Sequence, residues 1–514
     1  MRANTKMQVH RSEGGPAYMS FDVHQFDLFV LIGSLVTLLA ILAVRMSTKA
    51  GLPSLLIYLL MGVLLGESVL GIRFDDAALA HAVGFGALAL ILAEGGLTTS
   101  WKDVRPAFGL GLMLATVGVV ISIGIVAVGA HYLLGLSWQL AFLLGAVTSP
   151  TDAAAVFSVL RVVPLPKKLT GVLEAESGLN DAPTVVIVTL IASGAIAEHH
   201  PVVVAGIVVG ELLLGIVVGL LVGFGGAWLM RRAALPSAGL YPLAVMTLAF
   251  LAYGGAAWLH GSGFAAIYVA ALVLGNSELP HRGATRSFAE GVAWLAQIGL
   301  FVMLGLLLSP GRIDLQTIGL ALAAGLILTF IARPTSVLVS TVVSRMTWRE
   351  TAFVSWAGLR GAVPVVLTTI PLAEGVDGAE ELFDLVFVMV VVYTLLTGPT
   401  LPWVARVLEV ARPDDPRSLD LDVAPLEQIA ADLIQLRIPR ESRLHGVEVS
   451  ELRLPMGSSV SLLIRDGRTM VPEDTTVLRA RDVVLVVVPR HQRELAERRL
   501  EMVSRKGRLA GWLR

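Results

Sequence analysis

Thirteen stretches of this chain are apolar enough to be read as membrane crossings, for which about 20 residues of helix are needed. They are residues 26–44, 52–70, 78–98, 107–130, 138–160, 170–192, 202–230, 240–259, 263–277, 288–309, 315–343, 351–373 and 382–408. No water-soluble fold can cover that much apolar surface. Of the 514 residues, 55% are hydrophobic and 15% charged, against about 25% charged in soluble domains. The mean hydropathy is +0.76. An ordinary soluble enzyme, a disordered chain and a nucleic-acid binder are therefore excluded. The net charge of −1 gives no pull toward a polyanion. The absence of cysteine excludes disulfides, thiolate metal sites and cysteine nucleophiles.

The loops between the stretches sort by charge. One alternating set holds thirteen basic residues, Arg45 and Lys49 through Arg345 and Arg349. The other set holds only Arg73 and Arg312. The positive-inside rule then predicts a cytoplasmic C-terminus and an external N-terminus. Arg2, Lys6 and Arg11 oppose that assignment, and a start at Met19 in place of Met1 would remove them. The polar stretch before Phe26 does not read as a signal peptide. Thirteen spans allow two six-helix halves of opposite orientation joined by one further span, the inverted repeat of secondary transporters. The expected fold class is an all-α polytopic membrane protein of two inverted six-helix repeats with broken crossing helices, followed by a small α+β cytoplasmic domain.

Two stretches carry helix breakers beside polar groups. The fifth reads Thr148-Ser149-Pro150-Thr151-Asp152-Ala153, and the twelfth reads Gly358-Leu359-Arg360-Gly361-Ala362-Val363-Pro364. Each is fifth in its half. Paired interruptions at corresponding positions point to a midplane binding site. An ionisable group at the bilayer centre costs roughly 2.5–3.5 kcal/mol on the insertion scale, yet Glu94, Asp152, Glu176, Asp181, Arg333 and Arg360 all fall inside stretches. In the sixth, Glu176 and Asn180 share one helix face, and Ser177 and Asp181 share the next. One face can meet an arginine. The other can offer oxygen to a hard monovalent cation. Pairing Arg333 with Glu176, and Arg360 with Glu94, leaves Asp181 and Asp152 as the carboxylates assigned no arginine. They are the first functional candidates. His199-His200 reads as solvated loop, and Glu211 and Glu290 are assigned no role.

The run Thr151-Asp152, Glu176-Ser177-x-x-Asn180-Asp181, Arg333-Pro334 and Gly358-Leu359-Arg360-Gly361-Ala362, in that order, resembles the monovalent cation/proton antiporters of the NhaP and sodium/hydrogen exchanger branch. The pattern departs from the usual Thr-Asp-Pro, having Ala153 after Asp152 and its proline earlier, at Pro150. The Thr-Asp-Ala-Ala-Ala-Val-Phe segment ending at Phe157 is similar to the bacterial potassium/proton members. The resemblance implies an antiporter domain over residues 26–410 after an N-terminal tail of 1–25. Spans 1–3 and 7–10 would form a dimerisation unit, and spans 4–6 and 11–13 an ion-binding core. It implies that Asp181 carries cation or proton, aided by Ser177, Asp152 and Thr151. Glu176 and Asn180 would be held by Arg333, with Arg360 and Glu94 structuring the site. One carrier carboxylate implies electroneutral exchange of K+ or Na+ for H+, by alternating access, in a homodimer in the cytoplasmic membrane. A carboxylate holds a proton or a cation, not both, and that competition couples the fluxes.

Beyond a charged linker at 411–418, strands are expected at 432–438, 460–465 and 482–488. Asp466-Gly467 is a turn signal, and a helix is expected from Gln492 to Met502. Leu462-x-x-Arg465-Asp466-Gly467-x-x-x-Val471-Pro472 and the strand Asp482–Val486 are similar to the TrkA-C domain of potassium-conductance regulators. This implies a regulatory unit over 419–495 that binds a small ligand such as a nucleotide, then a basic tail at 496–514. No resident cofactor and no nucleic-acid partner are expected. The rival readings are a sodium/proton antiporter of the same fold and, in another class, a ligand-gated cation channel. A membrane enzyme lacks any supporting nucleophile, metal cluster or phosphate loop.

Overall fold

The computed structural model describes residues 23–50, 54–67, 70–72, 74, 76–160, 163, 165–342, 344, 346–361, 363–411, 420–426 and 431–507. The start at Met1 or Met19, most of the 411–418 linker, Ala362 and the last residues of the basic tail lie outside them. Among the described residues, seven helices are long and apolar enough to cross a membrane. They are α3 (Ala77–Thr98), α4 (Phe108–Leu134), α8 (Pro201–Arg232), α9 (Leu240–Trp258), α11 (Arg282–Leu307), α12 (Leu315–Thr341) and α16 (Ala379–Val407). The remaining apolar stretches are helical too. They form α1 (Val23–Ala50), α2 (Ser54–Leu65), α5 (Trp138–Thr148) with α6 (Ala153–Leu160), α7 (Lys167–Ala192), α10 (Gly263–Asn276), and α13 (Trp348–Trp356) with α14 (Val363–Leu367) and α15 (Thr369–Ala373).

The helices pack in two groups. Helices α2, α3 and α8 to α11 lie against one another, and α4 to α7 lie against α12 to α16. Small residues set the closest approaches, as expected where lipid is no less apolar than leucine. A Cβ on Gly62 of α2 would lie 2.8 Å from the Cα of Gly305 in α11, and the reverse also holds. The outer face of α8 leaves Leu213, Leu221 and Phe224 exposed, suited to acyl chains. Two helices contain a wider, π-type turn: Leu114–Gly118 in α4 and Ile327–Ala332 in α12. Two others stop at mid-length. Proline at 150, lacking an N–H, ends α5, and α6 restarts at Ala153 with Asp152 accepting from the Ala155 N–H at 3.0 Å. The second break separates α13 from α14, around Gly358 and Gly361.

The C-terminal unit is an antiparallel sheet in the order β1-β2-β5-β3-β4. Its strands are β1 (Asp420–Leu426), β2 (Ala431–Arg437), β3 (Ser459–Arg465), β4 (Arg468–Met470) and β5 (Val483–Pro489). Three match the expected strands within a residue, and β4 follows the Asp466-Gly467 turn. Strand β1 was not expected: Asp420, Asp422 and Pro425 break its apolar pattern, and it gains its ladder by pairing with β2. Helix α17 (Arg493–Lys506) buries Ala496, Leu500 and Val503 in the domain core. The boundary drawn at 495 therefore cuts through the domain, and residues 496–506 belong to it rather than to a tail. Lys102, just beyond α3, contacts Glu494 of α17 at 3.0 Å and holds that carboxyl below its ordinary pKa.

Candidate functional site

The two broken helices cross, and the crossing is held by backbone and arginine contacts. The Asp152 N–H donates to the Leu359 carbonyl at 2.9 Å, joining one break to the other. A helix C-terminus leaves carbonyls without partners and carries a partial negative charge. An arginine meets each one here. Arg360 donates through Nε to the Thr148 carbonyl at 3.0 Å, at the end of α5, and through Nη1 to the Gly358 carbonyl. Arg333 donates through Nη2 to the Val354 carbonyl at 3.2 Å, near the end of α13. Thr394 of α16 donates to the Arg360 carbonyl at 3.0 Å. Glycine is required where these groups crowd the backbone. A Cβ on Gly361 would fall on the Asp152 carboxylate, and one on Gly358 would lie 2.6 Å from Arg333 Nε.

The Arg333–Glu176 pairing stands as expected. The guanidinium forks onto the carboxylate, with Nη1 on Oε1 and Nη2 on Oε2 at 2.9 Å, and both side chains are buried. Two other expectations fail. Asn180 is not held by Arg333, which is committed to Glu176 and Val354. Its Nδ2 donates instead to Thr151 Oγ1 at 3.0 Å, tying α7 to the break between α5 and α6. Glu94 is not paired with Arg360. It lies near the C-terminal end of α3 beside Arg286 and Glu290 of α11, in the other helix group. Arg360 is spent on carbonyls.

Asp181 lies on α7, one residue beyond Asn180, and is 5% exposed. Its Oδ1 has no hydrogen-bond partner among the described residues, and neither has the neighbouring Asn180 Oδ1. Ser177 is one turn earlier on the same helix, and Asp152 is within electrostatic reach. Asp152 itself caps α6 and rests on Gly361, so it is tied into the crossing. Two buried acceptor oxygens that lack donors are what a desolvated cation or a proton would satisfy. The described residues contain no cluster of histidine or carboxylate suited to a multivalent metal. Sequence reasoning missed the Thr148, Val354 and Gly358 carbonyls and the Thr394 hydroxyl. Threonines and carbonyls in apolar helices carry no local mark of such a role.

A crossing of two interrupted helices, with a buried and incompletely satisfied carboxylate beside it, defines a secondary transporter rather than an enzyme. The comparisons with known proteins agree. The profile of the sodium/hydrogen exchanger transmembrane family matches residues 34–407, and that of the TrkA-C domain matches residues 433–501. The chain belongs to the sodium/hydrogen exchanger family. It is 36% identical over 473 residues to "K(+)/H(+) antiporter NhaP2" of Shewanella oneidensis, covering 91% of this chain and 82% of that one. It is 34% identical over 472 residues to "K(+)/H(+) antiporter NhaP" of Alkalimonas amylolytica, covering 90% and 81%. The likeness to "Na(+)/H(+) antiporter ApNhaP" of Aphanothece halophytica is 26% over 373 residues, covering 68% and 69%. Among solved structures, the sodium proton antiporter MjNhaP1 of Methanocaldococcus jannaschii matches 74% of this chain and 99% of its own. The TM-score is 0.63 and the identity 22%, a likeness of fold.

Proposed function

We propose that the protein exchanges a monovalent cation, K+ before Na+, for one proton across the cytoplasmic membrane, with both competing for Asp181. The observation that carries this is the buried Asp181 carboxylate at the crossing, whose Oδ1 has no hydrogen-bond partner among the described residues. Ser177, Asp152 and Thr151 assist it, and Glu176 with Arg333 and Arg360 holds the crossing rigid. Asn180 locks Thr151 in place, and Glu94 structures the neighbouring helix group. Charge supports a one-for-one ratio. The group at the crossing has three carboxylates (Asp152, Glu176 and Asp181) and two guanidiniums (Arg333 and Arg360). With all ionised, one negative charge is left over, and one cation or one proton neutralises it. Potassium is favoured because the relatives named for it match more closely, and over more of the chain, than the one named for sodium.

The architecture that serves this is thirteen spans in two inverted halves. The π-type turns fall in the fourth span of each half and the breaks in the fifth, as a repeat would place them. Helices α1 to α3 and α8 to α11 form the dimerisation unit. The other group is the mobile core, and the two rock past each other around the site.

The deciding measurement is collapse of a pH gradient in vesicles on adding K+, Na+, Li+ or Rb+. Collapse only in the presence of cation, saturating with K+, is expected. Current without proton movement would favour a channel. A reporter fused after Arg412 should be active only in its cytoplasmic form, and periplasmic activity there would overturn the topology. Removing residues 418–514 should change when exchange occurs, through loss of a ligand-responsive unit, and leave the reaction intact. A folded truncation that exchanges under no pH or ligand condition would count against that division of labour.

A further inference from the structure

Helix α7 carries a third carboxylate, Glu174, that the site above does not use. It is half-buried and sits seven residues before Asp181, about 10 Å along the helix at 1.5 Å per residue. Residues 171, 174, 178 and 181 follow the 3–4 spacing of one helix stripe. Glycines on that stripe show what faces it. A Cβ on Gly171 would lie 2.9 Å from the Asp103 carbonyl, and one on Gly178 would fall on the Tyr268 hydroxyl. Tyr268 belongs to α10, in the other helix group, and is 7% exposed. Its hydroxyl lies beside the Thr99 side chain, within electrostatic reach of both Glu174 and Asp181. Asn276 fixes this wall: its Nδ2 donates to the Thr99 carbonyl at 2.9 Å, and its Oδ1 accepts from the Trp101 N–H at 2.9 Å.

Polar groups therefore run from the membrane face that bears the C-terminal domain inward to Asp181. In order they are Asp103, Glu174, Thr99 with the Tyr268 hydroxyl, and Asp181. The nearby basic groups are engaged: Lys167 pairs with Asp103 at 3.6 Å, and Lys168 with Glu350 at 2.9 Å. The charged neighbour of Glu174 is Asp103, another carboxylate. A fixed negative charge at that point raises the local concentration of any small cation, the proton included.

We propose that Glu174 is the positioning residue that draws the exchanged ions to Asp181 from the face bearing the C-terminal domain, with the Tyr268 hydroxyl standing between them as the gate. This rests on Asp181 being the carrier. Because the effect is electrostatic, it acts on cation and proton alike, and on one face only.

The test is exchange in proteoliposomes of fixed orientation, with K+ and pH varied on one face at a time. Glu174→Gln should raise the KM for K+ on the face bearing the C-terminal domain by roughly four- to fifteenfold. That is the Coulomb effect of one charge about 10 Å away at an effective dielectric of about 20–40. It should shift the pH midpoint on the same face by the same factor, about 0.6–1.2 units toward acid. The KM on the opposite face and the maximal rate should stay unchanged. Glu174→Asp should restore most of the lost affinity, and Glu174→Ala should repeat the Gln result should the amide variant misfold. Equal changes on both faces, or a lower rate without any shift in KM and pH midpoint, would overturn the proposal. Asp181→Asn in the same vesicles separates the two readings. If that variant still exchanges, the carrier assignment fails. If it is inactive while Glu174→Gln is symmetric, only the role of Glu174 fails.

Discussion

Asp181→Asn is expected to abolish exchange while leaving a folded protein of unchanged oligomeric state. The substituted amide can neither release a proton nor balance the charge of a cation. It is nearly isosteric, and the Oδ1 it replaces makes no hydrogen bond among the described residues that could be lost. In the unmodified protein, one proton competing with one cation makes the apparent cation affinity fall about tenfold per pH unit below the carrier's pKa. Binding measured by calorimetry across several pH values, together with vesicle exchange for the variant, checks both halves. Cation affinity indifferent to pH, or an active Asp181→Asn protein, would move the site elsewhere, with Asp152 next in line.

Arg333→Ala should produce the largest loss of folded protein of any single change at the crossing. It leaves Glu176, 2% exposed, with a buried and uncompensated charge. Breaking a buried pair from one side costs roughly 3–5 kcal/mol, a large part of a typical total stability of about 5–15 kcal/mol. It also removes the donor to the Val354 carbonyl at the end of α13. Removing both charges together, as in Glu176→Gln with Arg333→Met, should recover much of the folded yield, because the desolvation cost disappears with the pair. Thermal unfolding in detergent of the single and double variants decides this. A stable, fully active Arg333→Ala protein would refute the pairing.

What could be read in advance followed from strong local signals. Apolar runs are long, so every expected stretch holds a helix. Prolines and glycines punctuate, so both breaks fell where Pro150 and Gly358–Gly361 stand. Arg333 and Glu176 found each other because a buried charge needs an opposite one. The rest depended on which helix faces which. Glu94 was matched to Arg360 by counting charges, but an arginine at a broken helix can be satisfied by carbonyls, and Arg360 is. Asn180 went to Thr151 rather than Arg333 because α7 packs against the break after α5, a relation no spacing in the sequence encodes. Strand β1 has a pattern too polar to announce itself and exists by virtue of its partner strand.

The polarity of α7 has a consequence for how the protein is made. It is more polar than the long apolar helices, because Glu174, Glu176, Asn180 and Asp181 lie along it. Yet it is the helix that brings Asp181 to the crossing. The arginine that neutralises Glu176 lies 157 residues downstream. At roughly 5–20 residues per second it leaves the ribosome about 8–30 s later. During that interval the nascent α7 has to be sheltered from acyl chains by the insertion machinery or by α4 and α5, which are already made and pack against it in the finished protein. The transporter's first half is thus held in waiting for its second, and changes that slow or misorient α12 will surface as failed insertion of α7.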